Sequence, residues 1–232
     1  MITLPVSDES KYTLHPSKII ALGLNYRDHI QESVSVNVKG FTKEVPSEPV
    51  LFPKLPSSII GPGDTICIPA ILSNYNFKDE RTDYEGELAV IIGKNGKNIP
   101  EEGAYDYIFG YTCLNDVSQR NIQTGDKSGW FRGKSFDTFC PAGPCIVKQN
   151  NIKDPQQLSI KTRLNGKTVQ QSNTANMIFG IPQILSFISK NFTLCEGDII
   201  STGTPSGVGP IRPGDVVEVE IEEIGILKNP VA

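Results

Sequence analysis

Alternating hydrophobic and polar positions predict short β-strands along most of this chain. The clearest alternation is in DYEGELAVIIG, residues 83–93, because successive side chains of a strand point to opposite faces. Glu85 and Glu87 then share one face, and the apolar residues that follow them indicate that both faces are buried. Further strands are predicted at residues 18–25, 49–52, 65–68, 108–114, 144–147, 198–202 and 215–221.

A hairpin and a few short helices complete the predicted secondary structure. Residues 158–164 and 167–172 flank the dipeptide Asn165-Gly166, which favours a type I′ turn and therefore predicts a β-hairpin. Residues 181–191 have proline in the first turn and apolar residues at helical spacing, which predicts a helix packed on the core. The remaining predicted elements are short helices from about Arg27 and within residues 117–123, and a loop at residues 34–47. Together, about ten strands and three helices indicate an α+β fold dominated by sheet.

Charge and cysteine content exclude several functional classes. The formal net charge of −4 and the absence of a Lys/Arg cluster argue against nucleic-acid binding. The apolar runs are far shorter than the ~20 residues of a membrane-spanning helix, and the N-terminus lacks the apolar centre of a signal peptide. Five cysteines without a CxxC pair argue against both a disulfide framework and a thiolate zinc site. We therefore expect a cytoplasmic protein that binds neither nucleic acid nor membranes.

Three acidic residues are candidate ligands of a divalent metal ion. Glu85 and Glu87 lie two positions apart on one strand, so their Cα atoms are about 6.8 Å apart and both carboxylates project the same way. Asp116, at the end of another predicted strand, would supply a third hard oxygen ligand. Carboxylates beside an apolar run are costly without a cation. A solvated strand face is the alternative, because an ExE pattern by itself is not specific.

Three more segments carry candidates for proton transfer and substrate binding. His29 precedes Glu32 by three residues on the first predicted helix, a spacing that lets a carboxylate orient an imidazole; the alternative is a surface histidine with an incidental neighbour. Lys134 lies in GWFRGKSFDTFCPAGP, which lacks the glycine spacing of a phosphate loop. It is either a cation near a carboxylate or developing oxyanion, or an ordinary surface lysine. Thr204 lies in STGTPSGVGP, which suits either an anion-binding loop or a plain turn.

Five segments in this order resemble the fumarylacetoacetate hydrolase family: GLNYRDH, DYEGELAVIIG, YTCLNDVSQRNIQ, RGKSFDTFCPAGP and STGTPSGVG. The resemblance begins near residue 18, so we expect residues 1–17 to be a short N-terminal segment and residues 18–232 to be one catalytic domain. It implies layered, rolled mixed β-sheets with few short helices, and a homodimer. It also implies Mg²⁺ or Mn²⁺ bound by Glu85, Glu87 and Asp116. The remaining implied site residues are catalytic His29, Glu32, Gln123 and Lys134, and substrate-binding Arg27, Arg132 and Thr204.

The resemblance is to the short, single-domain members of the family, which act on small 2-oxo acids. They include acylpyruvate hydrolases, oxaloacetate decarboxylases or tautomerases, and isomerases of 2-hydroxyhepta-2,4-diene-1,7-dioate. In each reaction a metal ion stabilises an enolate. The His29/Glu32 pair favours hydrolysis of a C–C bond, since that reaction needs a base to activate water. Decarboxylation of oxaloacetate is a further candidate activity of such a hydrolase. The alternatives are an isomerase or tautomerase with the same metal site, and a non-catalytic binding protein of the same fold.

Overall fold

The computed structural model describes residues 1–32, 44–125, 127 and 130–232, and for residues 30–32 it describes the backbone alone. The predicted loop at residues 34–47 therefore lies mostly outside the described residues. The strands are β1 (Ile2–Pro5), β2 (Lys11–Leu14), β3 (Ile19–Gly23), β4 (Val50–Lys54), β5 (Ile59–Ile60), β6 (Thr82–Tyr84), β7 (Gly86–Ile92), β8 (Ile108–Asn115), β9 (Ser118–Gln119), β10 (Cys140–Lys148), β11 (Ser159–Leu164), β12 (Lys167–Asn173), β13 (Ile199–Ser201), β14 (Gly209–Pro210), β15 (Val216–Ile221) and β16 (Gly225–Pro230). The α-helices are α1 (Arg27–Glu32), α2 (Arg120–Gly125), α3 (Phe131–Lys134) and α4 (Ile181–Asn191).

A mixed seven-stranded sheet with the order β4-β3-β13-β7-β8-β10-β5 forms the centre of the molecule. Strand β7 pairs antiparallel with β13 on one side and with β8 on the other. Every residue of β7 is buried, with Leu88 and Val90 in one hydrophobic cluster and Ala89 and Ile91 in another. The predicted alternation is thus confirmed with both faces buried, although the predicted strand is divided at Glu85 into β6 and β7.

A four-stranded sheet, with the order β12-β11-β15-β16, packs against the central sheet through Val219 and Leu227, which share a hydrophobic cluster with Leu88. Its β11–β12 hairpin confirms the predicted turn, because Asn165 and Gly166 have φ angles of 53° and 79°, both in the left-handed region of a type I′ turn. This sheet therefore covers β7, the strand that carries Glu87.

Helix α4 has the predicted bounds, residues 181–191. Ile184, Leu185 and Ile188 are fully buried in the same cluster as Leu88, as expected for apolar residues at helical spacing. The helix packs on the core and contributes no side chain to the candidate site described below.

The predicted set of elements is incomplete. The predicted strand at residues 65–68 is incomplete: Ile66 forms an isolated bridge to Val231, and the pairing consists of backbone hydrogen bonds from Ile66 N to Pro230 O, from Ala232 N to Ile66 O and from Ile68 N to Ala232 O. The hairpin of β1 and β2 and the strand β16 had no predicted counterpart, because prolines and charged residues interrupt their alternation. The described residues contain sixteen strands and four α-helices, and several of the additional strands have two residues.

Sheet dominates this α+β fold, as predicted. The four α-helices contain between 4 and 11 residues. In the described part of the chain, none of the helices is long and apolar enough to cross a membrane. Chemically reactive side chains are therefore presented mainly from strand ends and the loops that follow them.

Candidate active site

Three buried carboxylates meet where β7 and β8 pair. Glu85 precedes β7, Glu87 lies on β7, and Asp116 directly follows β8. Each offers an oxygen that lies within 4.8 Å of the oxygens of the other two. Two hydrogen bonds hold Glu85 beside Asp116, because Asp116 N donates to Glu85 O at 2.8 Å and Glu85 N donates to the side-chain Oδ1 of Asn115 at 2.9 Å. The predicted convergence of Glu85, Glu87 and Asp116 is therefore observed, and a solvated strand face is excluded.

Lys134 and Arg120 compensate part of this negative charge. Lys134 Nζ lies 2.6 Å from Glu85 Oε2 and 2.6 Å from Asp116 Oδ2. Arg120 Nη2 lies 2.5 Å from Glu85 Oε1. Burial raises the pKa of Glu85, but the charges of Lys134 and Arg120 outweigh burial and hold that pKa well below its usual range. Burial has the opposite effect on the cation and lowers the pKa of Lys134. The negative charges of Asp116 and Glu85 outweigh this effect of burial, so the pKa of Lys134 is raised overall. Lys134 is therefore a buried cation near carboxylates, which was one of the two predictions for it, and it is not an ordinary surface lysine.

Glu87 has a different environment from Glu85. Its Oε2 accepts hydrogen bonds from Ser201 Oγ at 2.5 Å and from the backbone N of Gly203 at 2.8 Å. Among the described residues, no lysine or arginine forms an ion pair with it. Burial raises the pKa of Glu87 well above its usual range, and the negative charges of Asp116 and Glu85 raise it further. A divalent cation among the three carboxylates would relieve this repulsion, and their hard oxygen donors suit such an ion.

Two buried cations at this site had no predicted role. Lys54, at the end of β4, lies with its Nζ 2.6 Å from Asp116 Oδ1 and also donates to Lys134 O. Arg120 Nε lies 2.7 Å from Asp83 Oδ2, in addition to its contact with Glu85. Lys54 carried no distinguishing sequence signal. Arg120 lies in the NDVSQRN segment that contributed to the family resemblance. That segment could therefore have indicated Arg120 as a residue of the site.

One cavity beside the carboxylates collects most of the other predicted residues. Its lining includes His29, Glu85, Glu87, Gln123, Lys134 and Thr204. Gln123 is buried, and its Oε1 accepts a hydrogen bond from Arg120 Nη1 at 2.9 Å. Thr204 Oγ1 donates to Gly86 O at 2.9 Å. The catalytic and substrate-binding roles of these residues stay predictions, and the predicted contact of His29 with the Glu32 side chain lies outside the described residues.

The two predicted substrate-binding arginines lie outside the lining of this cavity. Arg27 is exposed and lines a separate cavity with Tyr26, Asn176 and Pro205. Arg132 is exposed, and its Nη2 donates to the hydroxyl of Tyr75 at 2.9 Å. Their roles as carboxylate ligands therefore stay predictions.

Comparisons with known proteins converge on one family. Residues 18–232 match the family described as fumarylacetoacetate (FAA) hydrolase, C-terminal. The chain is 43% identical over 222 residues to oxaloacetate tautomerase YisK of Bacillus subtilis (strain 168), covering 92% of this chain and 69% of that protein. Its fold is similar to that of 2-hydroxyhepta-2,4-diene-1,7-dioate isomerase from Mycobacterium marinum, with a TM-score of 0.79, 40% identity, and coverage of 94% of this chain and 75% of that one. It is also similar to the structure of maleylpyruvate hydrolase from Sphingobium sp. SYK-6 in complex with manganese (II) ion and pyruvate. The TM-score is 0.77, the sequence identity is 33%, and the match covers 95% of this chain and 72% of that one.

Proposed function

The chain belongs to the fumarylacetoacetate hydrolase family, and from this premise we propose that it is a divalent-metal-dependent tautomerase or isomerase of small 2-oxo acids, with oxaloacetate as the candidate substrate. The observation that carries this proposal is the buried cluster of Glu85, Glu87 and Asp116 with Lys134 against it. Similarity to an oxaloacetate tautomerase and to a dienedioate isomerase favours isomerisation over the C–C bond hydrolysis predicted from the sequence.

The three carboxylates are proposed to hold Mg²⁺ or Mn²⁺. Their donor oxygens lie within 4.8 Å of one another, are buried and are all of the hard type that these ions prefer. The similar hydrolase in complex with manganese (II) ion supports this assignment. When bound, such an ion supplies a Lewis acid that polarises the keto oxygen of a 2-oxo acid and stabilises its enolate.

Lys134 and Gln123 are proposed to bind and orient the substrate in the cavity. The buried ammonium of Lys134 opposes the negative charge of an enolate oxygen more strongly than an exposed lysine would, because little water screens it. Gln123 is fixed by Arg120 and lines the same cavity. The rings of Phe52 and Trp130, with centroids 5.2 Å apart, form an apolar wall that limits the access of water.

His29 is proposed to transfer the proton. Tautomerisation of oxaloacetate removes a proton from C3 and places one on the keto oxygen, so it needs a group that accepts and returns protons. His29 is buried and lines the cavity together with Glu85 and Lys134. An imidazole is the side chain that most often performs this task near neutral pH.

Hydrolysis of a C–C bond, the reaction predicted from the sequence, is the second candidate. The similarity to a maleylpyruvate hydrolase favours it, and the same His29 would then accept a proton from a water molecule rather than from C3. Both candidates use the same metal site, and they differ in how the enolate forms: by loss of a proton from C3, or by cleavage of a C–C bond after water has added to a carbonyl carbon.

The test measures both reactions on one preparation of protein. Metal-free protein is assayed with and without added Mn²⁺ or Mg²⁺. Tautomerisation is followed by the ultraviolet absorbance of enol oxaloacetate, and cleavage by the release of pyruvate from maleylpyruvate and acylpyruvates. We expect metal-dependent tautomerisation to be the faster reaction. Metal-dependent cleavage that is faster than tautomerisation would support the second candidate. Equal activity with and without added metal would contradict both candidates.

A further inference from the structure

The backbone of Gly86, between the two glutamates, belongs to a closed circuit of hydrogen bonds. Gly86 N donates to Gln170 Oε1 at 3.0 Å. Gln170 Nε2 donates to Thr204 Oγ1 at 2.9 Å, and Thr204 Oγ1 donates to Gly86 O at 2.9 Å. Gln170 Nε2 also donates to Pro205 O at 2.9 Å. One amide side chain therefore joins the first residue of β7, between the two glutamates, to the loop that carries Thr204.

Side chains make these bonds because the neighbouring strand does not reach Gly86. Strand β13 pairs with β7 from Ile91 to Ala89, where the partner of Ala89 is Ser201. Thr202 N still donates to Leu88 O at 3.0 Å, and beyond Thr202 the chain continues as the loop that contains Thr204. The N–H and C=O of Gly86 still need partners, since a buried backbone group without one is unfavourable. Gln170 and Thr204 supply them.

The β11–β12 hairpin approaches the backbone between the glutamates closely. Thr162 and Gln170 are cross-strand partners on this hairpin, and both are buried. A Cβ atom at position 86 would overlap Thr162 Oγ1 and would lie 3.4 Å from Gln170 Oε1. Glycine at position 86 is therefore what permits the hairpin to contact this backbone directly.

We propose that Gln170 is a positioning residue that sets the geometry of the metal site from outside it. Glu85 and Glu87 flank Gly86, so the position of the Gly86 peptide fixes the separation and direction of both carboxylates. The loop that Gln170 contacts also binds Glu87 directly through Gly203 N, and Ser201 Oγ, at the end of β13 just before this loop, binds the same carboxylate oxygen. Gln170 therefore constrains Glu87 from two sides without contacting its carboxylate. This inference rests on the proposed metal dependence of the site.

The test is the affinity of the protein for Mn²⁺, measured by isothermal titration calorimetry on metal-free protein without substrate. Gln170→Met keeps the length of the side chain and removes every hydrogen bond of its amide. We expect the Kd for Mn²⁺ to rise by about 10- to 100-fold, as for other residues that orient metal ligands. The matched control is Gln171→Met, because Gln171 is the next residue on β12 and is exposed. Its Kd should equal that of the wild type.

A second variant removes the hydrogen bonds that Thr204 Oγ1 forms with Gln170 and Gly86. Thr204→Val keeps the shape of the side chain and removes the hydroxyl, so its Kd for Mn²⁺ should also rise. This variant decides the question alone if Gln170→Met does not fold, as judged by circular dichroism. In the double variant the Kd should rise little beyond the larger single effect. Both substitutions break the same hydrogen-bond network, so their effects on the Kd should not be additive in free energy.

Two results would overturn the proposal. One is a wild-type Kd in Gln170→Met, even where its Tm falls, because Gln170 would then support stability alone. The other is a double variant whose fold-increase in Kd equals the product of the two single fold-increases. Such independence would show that Gln170 and Thr204 do not act through one hydrogen-bond network. Wild-type protein that binds no Mn²⁺ would instead contradict the proposed metal dependence, so the two failures are distinguishable.

Discussion

Lys54 Nζ lies 2.6 Å from Asp116 Oδ1, and both side chains are fully buried. Removal of the cation would leave the carboxylate of Asp116 with one oxygen unpaired in the protein interior. We expect Lys54→Met to lower the free energy of unfolding by about 3 to 5 kcal/mol, the cost of breaking a buried ion pair from one side. Urea unfolding of the metal-free protein measures this change.

The control for that variant is Lys228→Met. Lys228 is 62% exposed and pairs with Glu218 on the surface, so its loss should change the unfolding free energy by less than about 1 kcal/mol. Equal losses in the two variants would show that the pair of Lys54 and Asp116 has no special importance for stability.

Gly86→Ala should destabilise the fold through overlap of the new methyl group with Thr162 Oγ1. We expect a loss of about 1 to 3 kcal/mol, typical of overpacking in a close-packed core. The second substitution Thr162→Ala removes the overlapping oxygen and should restore part of the loss. Thermal unfolding of the single and double variants measures the rescue. A double variant that is less stable than Gly86→Ala would refute the packing argument.

His29→Ala should separate proton transfer from metal binding. We expect the kcat for tautomerisation to fall by about 10²- to 10⁴-fold at saturating metal, with an unchanged Kd for Mn²⁺. His15→Ala is the matched control, because His15 is the other histidine of the chain and is exposed. Steady-state kinetics of tautomerisation and of C–C cleavage are measured for both variants. A loss confined to cleavage would assign His29 to the activation of water.

The cysteines should differ sharply in reactivity. Burial raises the pKa of Cys140 to about 12 and that of Cys113 further still, so neither forms the reactive thiolate at pH 8. Cys67 is exposed and should be alkylated in the native protein. Peptide mass spectrometry after brief treatment with iodoacetamide measures the labelling at each site. Alkylation of Cys140 as fast as Cys67 would contradict the described burial.

The metal ligands were predictable because local geometry places Glu85 and Glu87 on one side of a strand and the family resemblance implies the full set with Asp116. Two residues of separation on a strand put Glu85 and Glu87 on one side, and a strand end is where Asp116 meets them. The hairpin turn at Asn165-Gly166 was predictable for a similar reason, since the turn type requires those residues. The pair Glu85 and Glu87 and the hairpin turn depend on residues that are near in sequence, whereas Asp116 comes from another strand.

The residues that surround the ligands were not predictable in the same way. Lys54 reaches Asp116 across a separation of 62 residues, and Gln170 reaches Gly86 across 84. A lysine that ends an apolar strand has the pattern of an exposed residue, and a glutamine in a polar strand has no distinguishing pattern at all. Their importance arises from tertiary contacts that periodicity and spacing do not encode.

Dependence on a divalent ion held by Glu85, Glu87 and Asp116 is the central claim. Its most direct test is calorimetric titration of Mn²⁺ into metal-free wild-type protein and into Glu87→Gln, which keeps the volume of the side chain and removes one ligand charge. We predict one binding site per chain in the wild type and a large loss of affinity in the variant, with the fold intact by circular dichroism. Equal affinity in the two proteins, or tautomerase activity that survives complete removal of metal, would contradict the account.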